Sequence, residues 1–229
     1  EYDTAFFDKR PKFIHYHPEI ANGNNLEFYH ADIYPDLAAI ERQVHYLFRT
    51  IPPDGHVILP ERDEAIQRAI QQGCWSMIHR FGGNGNEWDA KPVVSDASEF
   101  LVYYQGELVG EVRWNLFGMH NMYNGLAALI AAKQSGIPLR DACDALGSFG
   151  GVKRRLELRG QVNGITVYDD FAHHPTAILK TIQALRQRVG QARIFAVVDF
   201  ASNSMSAGVH LTSLPAALHE ADWGICVKP

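Results

Sequence analysis

The sequence predicts an α/β fold. Hydrophobic residues make up 46% of the 229 positions, which is enough to build a sizeable core. Several stretches place apolar residues at helical spacing, and short apolar runs typical of strands separate them. Near the carboxyl end, an apolar run at 165–168, a helical stretch at 175–189 and a second apolar run at 193–198 follow in order. This order predicts a βαβ unit with parallel strands.

Periodicity, together with proline and glycine positions, predicts the remaining elements. Pro35 precedes a helical pattern that stops near Pro52, and Gly136 stands where a helix stop is expected. Pro138 lies in the first turn of a further helix. The predicted helices cover 35–52, 61–72, 121–134, a stretch after Pro138 and 211–219, and the predicted strands cover 56–59, 100–104, 108–114 and 224–227.

Two stretches of the amino-terminal half hold residues suited to ligands. The run KFIHYH predicts a short strand that places His15 and His17 on one face, either as metal ligands or as a solvated strand face. The glycine-rich run GGNGNEWD at 82–89 follows no convincing strand and opens no helix. It therefore predicts a flexible turn in preference to a phosphate loop.

Composition narrows the class of function. A net charge of −5 with mixed signs argues against nonspecific nucleic-acid binding. The longest apolar stretch, around 126–132, is too short to span a bilayer, so we expect no membrane association. Three cysteines without CxxC spacing predict a reducing cytoplasm. Small-molecule chemistry is the expected class, and a chain that opens on Glu1 predicts a fragment of a longer protein.

The stretch ITVYDDFAHHPT is the first candidate site. Its strand and helix patterns place Asp169, Asp170, His173 and His174 on a strand-to-helix loop. Loops of this kind hold phosphates and catalytic groups in many α/β proteins. The alternative is a polar turn in which an aspartate or a histidine caps the helix.

Three further groups of residues could bind a nucleotide and its metal. Asn121 and Asn124 share a helix face and could pair with an adenine edge, or Asn121 could simply cap the helix. The cations of 153–155 could clamp phosphates between two domains, or form a solvated face. Glu27, His30 and Asp32 could hold magnesium or manganese, or be surface polar residues.

Four motifs occur in a recognisable order: NNLEFYHADIY, GMHNMYNGLAAL, GVKRRLELRG and YDDFAHHPTA. In this order and at these separations they resemble the Mur ligase family of peptidoglycan synthesis. The resemblance implies a partial central ATPase domain over residues 1–151, followed by a partial Rossmann-like carboxy-terminal domain over residues 152–229. It also implies that a UDP-sugar-binding amino-terminal domain and a GxxxxGK[ST] phosphate loop lie upstream.

The resemblance further implies ATP and Mg²⁺ as cofactors and gives six residues a role. In family members, the matching residues contact the metal, the base and the phosphates of the nucleotide. The matches are His30 for magnesium, Asn121 and Asn124 for adenine, Arg155 for the ATP phosphates, Asp170 at the nucleotide and His174 near the γ-phosphate.

The substrates implied by the resemblance follow from the opening YDTAFFDKR and from SNSM near residue 202. These are most similar to the branch that joins UDP-N-acetylmuramate to the murein tripeptide L-alanyl-γ-D-glutamyl-meso-diaminopimelate through an acyl phosphate. Without the phosphate loop, we expect these residues alone to be inactive. A noncatalytic nucleotide-binding module and a ligase that adds L-alanine to the same UDP-sugar remain alternatives.

Overall fold

A computed structural model describes residues 10–28, 33–83, 85–200, 205, 208, 210 and 212–227. Helices and strands alternate along much of the chain, which confirms the α/β fold class. None of the described helices has the length and apolar character needed to cross a membrane. The elements are a 3₁₀ helix (Lys12–His15), β1 (Ile20–Asn22), α1 (Leu37–Thr50), β2 (His56–Pro60), α2 (Glu64–Gln71), β3 (Met77–Phe81), β4 (Trp88–Pro92), β5 (Glu99–Tyr104), β6 (Glu107–Arg113), α3 (Met119–Gln134), α4 (Leu139–Gly147), β7 (Glu157–Val162), β8 (Ile165–Asp169), α5 (Pro175–Val189), β9 (Phe195–Asp199), α6 (Leu214–Ala217) and β10 (Trp223–Val227).

The chain divides into two compact units. The first comprises Glu1–Ala90, Val102–Gly110 and Tyr123–Cys143, and the second comprises Lys91–Leu101, Glu111–Met122 and Asp144–Pro229. This division follows contacts in space and so interleaves along the sequence. The domain boundary that the sequence predicts between residues 151 and 152 stays a prediction.

The core of the first unit is built around β2. This strand pairs in parallel with β1 and with β3, and Val57, Ile58 and Leu59 have no exposed surface. A strand buried on both faces requires a continuous apolar run, and the three residues VIL form such a run. Ile40 and Phe48 of α1 belong to the same buried cluster as Val57 and Leu59. The six-stranded sheet has the order β1-β2-β3-β4-β5-β6.

Side-chain caps fix where the helices of the first unit begin. Asp36 caps α1 by accepting a hydrogen bond from the Ala39 N–H at 2.8 Å. Asp63 caps α2 through the Ile66 N–H, and its second oxygen accepts from the Leu26 N–H, both at 2.9 Å. One carboxylate therefore fixes the start of α2 and the loop that follows β1.

The second unit contains a β-hairpin that corrects a sequence prediction. β8 does not pair with β9 and instead pairs antiparallel with β7. The two strands are joined by Asn163 and Gly164, whose φ angles are 50° and 78°. Two consecutive positive φ angles form the tight turn that matches strand twist, and Asn-Gly favours it. The predicted βαβ unit is therefore wrong: the turn pairs β8 with β7 in one two-stranded sheet, and β9 belongs to another.

The predicted parallel strand arrangement occurs instead between β9 and β10. The helix predicted over 175–189 is confirmed as α5, and the predicted strands over 193–198 and 224–227 match β9 and β10 within two residues. α6 is shorter than the predicted helix over 211–219, of which Leu211 lies outside the described residues. Ile178 and Ile182 of α5 pack in one buried cluster with Val198 and Leu214.

An ion pair between the buried Asp96 and the half-exposed Arg188 holds α5 within this unit. The Asp96 carboxylate accepts hydrogen bonds from the Ser98 N–H and hydroxyl, at 3.0 and 2.7 Å, and from Arg188 Nη1 at 2.7 Å. Burial alone would raise the pKa of Asp96, but its bonds to Arg188 and Ser98 outweigh burial and hold the pKa below its usual value. The Arg188 guanidinium also lies 5.4 Å from the centre of the Phe117 ring.

Two amino-terminal predictions are wrong. KFIHYH is not extended: Lys12–His15 forms a 3₁₀ helix that buries Phe13, and His17 has a φ of 44°. His15 and His17 therefore share no strand face. The run GGNGNEWD does follow a strand, β3, although it leads into β4 and opens no helix.

Candidate functional site

The parallel strands of the first unit place polar residues at one edge of the sheet. Asn24 follows β1, Glu61 and Asp63 follow β2, and Gly82 follows β3. Parallel pairing brings the carboxyl ends of these strands to the same edge, which is where α/β sheets bind ligands. Gly82, with a φ of 78°, lies so close to the Tyr123 ring that a Cβ there would be 3.1 Å from it. This contact places α3 against the edge.

Asn124 contributes a hydrogen-bond donor at this edge. Asn24 Nδ2 donates a hydrogen bond to Asn124 Oδ1, and Asn124 is otherwise exposed on α3. Because its oxygen is engaged, Asn124 presents its Nδ2 hydrogens to a ligand. The sequence did not predict a role for Asn24, because its partner lies 100 residues away along the chain.

Asn121 is oriented in the opposite sense. It lies in the first turn of α3, and its Nδ2 donates to the Phe117 carbonyl oxygen at 2.8 Å. Its Oδ1 is therefore left as an acceptor. A capping residue would instead accept from a backbone N–H, so the capping alternative for Asn121 is wrong.

Asp170 is the centre of a hydrogen-bond network in the second unit. Its Oδ2 accepts from the Leu156 N–H and its Oδ1 from the Ala172 N–H, both at 2.7 Å. The Thr181 hydroxyl also donates to Oδ1, at 3.3 Å. The carboxylate thus joins the segment that carries Arg155, the loop after β8 and helix α5.

Arg155 presents a free cation beside this network. Its side chain is exposed, and no carboxylate pairs with it in the part of the chain that the structure describes. Its guanidinium lies 5.9 Å from the centre of the Phe171 ring, and that of Arg154 lies 5.0 Å from it. Arg154 is also 3.5 Å from Asp169, so the two arginines differ in what they can bind. Arg155 is the one available to an anion.

His174 caps α5, as one of the sequence alternatives proposed. Its Nδ1 accepts from the Thr176 N–H at 3.3 Å. A neutral ring whose Nδ1 accepts carries its proton on Nε2. The ring packs edge-to-face on His210, with their centroids 4.7 Å apart, and burial lowers the pKa of His210.

His120 is a residue of this region that the sequence analysis missed. The pKa of His120 is lowered, chiefly by burial. The charge of Asp170 opposes this shift, and the charges of Lys180 and Arg155 add to it, so all three act on the His120 ring. The preceding Gly118, with a φ of 94°, packs tightly against α5: a Cβ there would be 2.6 Å from that of Ala184. The signal available in the sequence was its place in the GMHN motif, directly before Asn121.

The predicted metal ligand His30 lies outside the described residues, as does Asp32. Glu27 of the same set is described, and its Oε1 accepts from Asn25 Nδ2 at 3.5 Å. Within the described ranges, no group of three or more His, Cys, Asp or Glu side chains could hold a metal ion.

Comparison with known proteins gives matches over most of the chain. The Mur ligase middle domain matches residues 7–132, and the Mur ligase glutamate ligase domain matches residues 154–229. The UDP-N-acetylmuramate--L-alanyl-γ-D-glutamyl-meso-2,6-diaminoheptandioate ligases of Haemophilus influenzae and Escherichia coli are 51% and 52% identical over 230 aligned residues. These alignments cover 100% of this chain and 51% and 50% of those proteins.

A solved structure is also similar. The crystal structure of a murein peptide ligase from Psychrobacter arcticus has a TM-score of 0.70 and 40% identity, over 99% of this chain and 47% of that one. The chain spans about half the length of the curated relatives it matches.

Proposed function

Because this chain belongs to the Mur ligase family, we propose that it is part of an ATP-dependent ligase of peptidoglycan recycling. The ligase joins the carboxylate of UDP-N-acetylmuramate to the amino group of L-alanyl-γ-D-glutamyl-meso-diaminopimelate, in the bacterial cytoplasm. The observation that carries the proposal is the identity of 51–52%, over the whole chain, to two proteins named for these substrates.

The hydrogen-bonding of two asparagines supports ATP as the nucleotide. Adenine offers a donor, its exocyclic amine, beside an acceptor ring nitrogen. Asn121 has its amide nitrogen engaged and offers an oxygen, whereas Asn124 has its oxygen engaged and offers a nitrogen. The two lie three residues apart on α3, and so on one helix face. Together they present the pattern complementary to adenine.

Arg155 and His174 are proposed for the phosphate end of the nucleotide, and Asp170 is proposed to lie at the nucleotide beside them. The muramate carboxylate attacks the γ-phosphate of ATP, ADP leaves, and the tripeptide amine displaces phosphate from the acyl phosphate to form the amide. Arg155 neutralises charge on the transferring phosphoryl group, which is the main task of a protein in this chemistry. His174, at the amino terminus of α5, is proposed to lie near the γ-phosphate.

Magnesium is proposed at His30, which lies outside the described residues. A bound Mg²⁺ would supply charge neutralisation at the phosphates. Of the acidic residues that the sequence places beside His30, Glu27 offers an oxygen ligand of the kind Mg²⁺ prefers.

The test is an ADP-release assay on the full-length protein that contains this chain. UDP-N-acetylmuramate and ATP are supplied with the tripeptide, with L-alanine or with neither, and the amide product is identified by mass spectrometry. We expect ADP release and product with the tripeptide, and about 10³-fold slower release in Arg155→Ala. Product with L-alanine alone would favour the L-alanine ligase, and ATP binding without any product would favour a noncatalytic nucleotide-binding module. The 229 residues alone contain no GxxxxGK[ST] loop, so we expect no turnover from them.

A further inference from the structure

Arg155 lies between two residues whose backbone conformation L-amino acids rarely adopt. Arg154 has a φ of 58° and Leu156 a φ of 48°. A Cβ in this left-handed region approaches the carbonyl oxygen, so a side-chain-bearing residue stays there only where surrounding contacts hold it. Strained residues of this kind concentrate at functional sites. The backbone on both sides of Arg155 must therefore be held by other parts of the molecule.

Two of the contacts that hold it come from one loop, and a third comes from Glu157, whose Oε2 accepts from the Arg154 N–H at 2.8 Å. On one side of Arg155, the Leu156 N–H donates to Asp170 Oδ2 at 2.7 Å. On the other side, the Arg154 carbonyl oxygen accepts from the Phe171 N–H at 2.8 Å. Two consecutive residues, Asp170 and Phe171, thus hold the two residues that flank Arg155. These bonds fix the backbone at Arg155, and with it the direction of its Cα–Cβ bond.

The Phe171 ring restricts the side chain as well. It is 48% exposed, and the guanidinium carbons of Arg154 and Arg155 lie 5.0 and 5.9 Å from its centre. Cations over a ring face at these distances are attracted by its quadrupole. The ring therefore gives the otherwise exposed Arg155 guanidinium a surface on which to lie.

We propose that Asp170 and Phe171 are positioning residues that direct the Arg155 guanidinium toward the phosphates of the bound nucleotide. The inference rests on the proposed function, because it takes Arg155 to be the phosphate-binding residue. Asp170 acts through Arg155: its two oxygens already accept from the Leu156 and Ala172 N–H groups and from the Thr181 hydroxyl. The anionic carboxylate also suits backbone N–H donors better than it suits an anionic phosphate.

A double-mutant cycle in the full-length ligase tests this mechanism. Asp170→Asn keeps the volume of the side chain but leaves only one carbonyl oxygen for two N–H groups. We expect kcat/KM for ATP to fall about 10²-fold, the effect of a small misplacement of a catalytic group. In the Arg155→Ala background, the same change should have almost no effect, because the residue it positions is gone. Losses that simply multiply would overturn the proposal.

Asp222→Asn is the matched control for this cycle. Asp222 also accepts from a backbone N–H, that of Ile194 at 2.8 Å, and from Arg186 at 2.7 Å. This substitution should lower the melting temperature and leave kcat/KM for ATP unchanged. If it reduced kcat/KM as strongly as Asp170→Asn does, the effect of Asp170 would be one of general stability and the proposal would be overturned.

The ring has its own matched pair of variants. Phe171→Leu should raise the KM for ATP about 2- to 5-fold, the strength of an exposed cation–π contact, and Phe171→Tyr should restore it. Phe195→Leu removes another exposed ring, with Arg193 at 6.0 Å from its centre, and should leave KM unchanged. An unchanged KM in Phe171→Leu, or an equal rise in both leucine variants, would contradict the role of Phe171.

A crystal structure of Asp170→Asn separates failure of this inference from failure of the proposed function. We expect Leu156 to return to negative φ once the bond to Asp170 is lost, whatever the protein catalyses. If Leu156 kept its positive φ, Asp170 would not hold the segment and the inference would fail even in an active ligase. If the wild-type ligase released no ADP while the variant relaxed as expected, the proposed function would fail and the structural role of Asp170 would stand.

Discussion

Replacing Arg188 by leucine should destabilise the second unit by removing the partner of a buried carboxylate. The Asp96 side chain is only 10% exposed, whereas that of Arg188 is 46% exposed. Leucine keeps most of the aliphatic contact of the arginine and removes its charge. Asp96 would retain its two bonds from Ser98 and lose the bond from Arg188 Nη1 at 2.7 Å.

The expected loss is about 2 kcal/mol at pH 7. A hydrogen bond between charged groups contributes about 1.5–3 kcal/mol, and the exposure of Arg188 places this one at the lower end. The contact between Arg188 and the Phe117 ring adds about 0.5 kcal/mol. For a chain of this length, the sum corresponds to a fall of about 4–8 °C in the melting temperature.

The loss of stability in Arg188→Leu should depend on pH. The pKa of Asp96 is lower in the folded protein than its usual value, so the pair contributes stability above the unfolded-state pKa, and this is lost as the pH falls through the folded-state pKa. The difference between wild type and Arg188→Leu should therefore be full at pH 7 and shrink below about pH 4.

Thermal unfolding followed by circular dichroism at pH 7, 5 and 3 measures the difference, and Arg42→Leu, at an exposed arginine of α1, is the control. A loss below about 0.5 kcal/mol at pH 7 would place Arg188 among surface ion pairs of negligible effect and would refute the reasoning. A loss of stability at pH 3 equal to that at pH 7 would refute it as well.

Three further predictions concern other contacts. Asp63→Ala should lower the free energy of unfolding by about 1–3 kcal/mol, because it removes the cap of α2 and leaves the Leu26 N–H without its acceptor. Urea unfolding measures this loss, and Asp63→Asn should retain part of the stability. Asn163→Ala should lower the free energy of unfolding by about 1 kcal/mol, because alanine is disfavoured at the φ of 50° that this position requires. It should also speed hydrogen exchange in β7 and β8, whereas Asn163→Gly should do neither. Burial and the neighbouring His79 lower the pKa of His56, so the unfolded chain binds a proton that the folded chain resists, and stability should fall as the pH drops below about 6.5. His56→Gln should reduce the fall of the melting temperature between pH 7.5 and 5.5, while His120 and His210, whose pKa values burial also lowers, account for the remainder. An unchanged slope would show that His56 does not contribute.

The helices were the most predictable part of the fold. α5 runs from Pro175 to Val189 as predicted, because Pro175 marks its first turn and Ile178 and Ile182 recur on one face. The strands were harder. β3, with the sequence MIHRF, is only partly buried and carries two polar residues, so its pattern did not stand out. The hairpin of β7 and β8 had a local signal, the Asn-Gly pair, which the basic composition of the preceding segment obscured.

The candidate site shows a different limit. The four motifs identified the family, which the matches over 7–132 and 154–229 confirm, and they supplied every proposed nucleotide contact. They did not show which end of an amide faces a ligand, because this depends on partners distant in sequence, as for Asn124 and Asn24. Nor did they show that Asp170 is occupied by backbone N–H groups of its own chain. Such hydrogen bonds follow from the folded geometry and leave no periodic pattern.

The close approach of Gly118 to α5 has a consequence for how sequences of this kind vary. A Cβ at Gly118 would lie 2.6 Å from that of Ala184 and 2.8 Å from His120 Cε1, and the φ of 94° itself favours glycine. Residue 184 is therefore limited in size by a segment more than 60 positions away in the chain. In an alignment of relatives, the glycine two positions before the histidine and a small residue at 184 should be retained together. This pair would be a more selective marker of the arrangement than the GMHN motif alone.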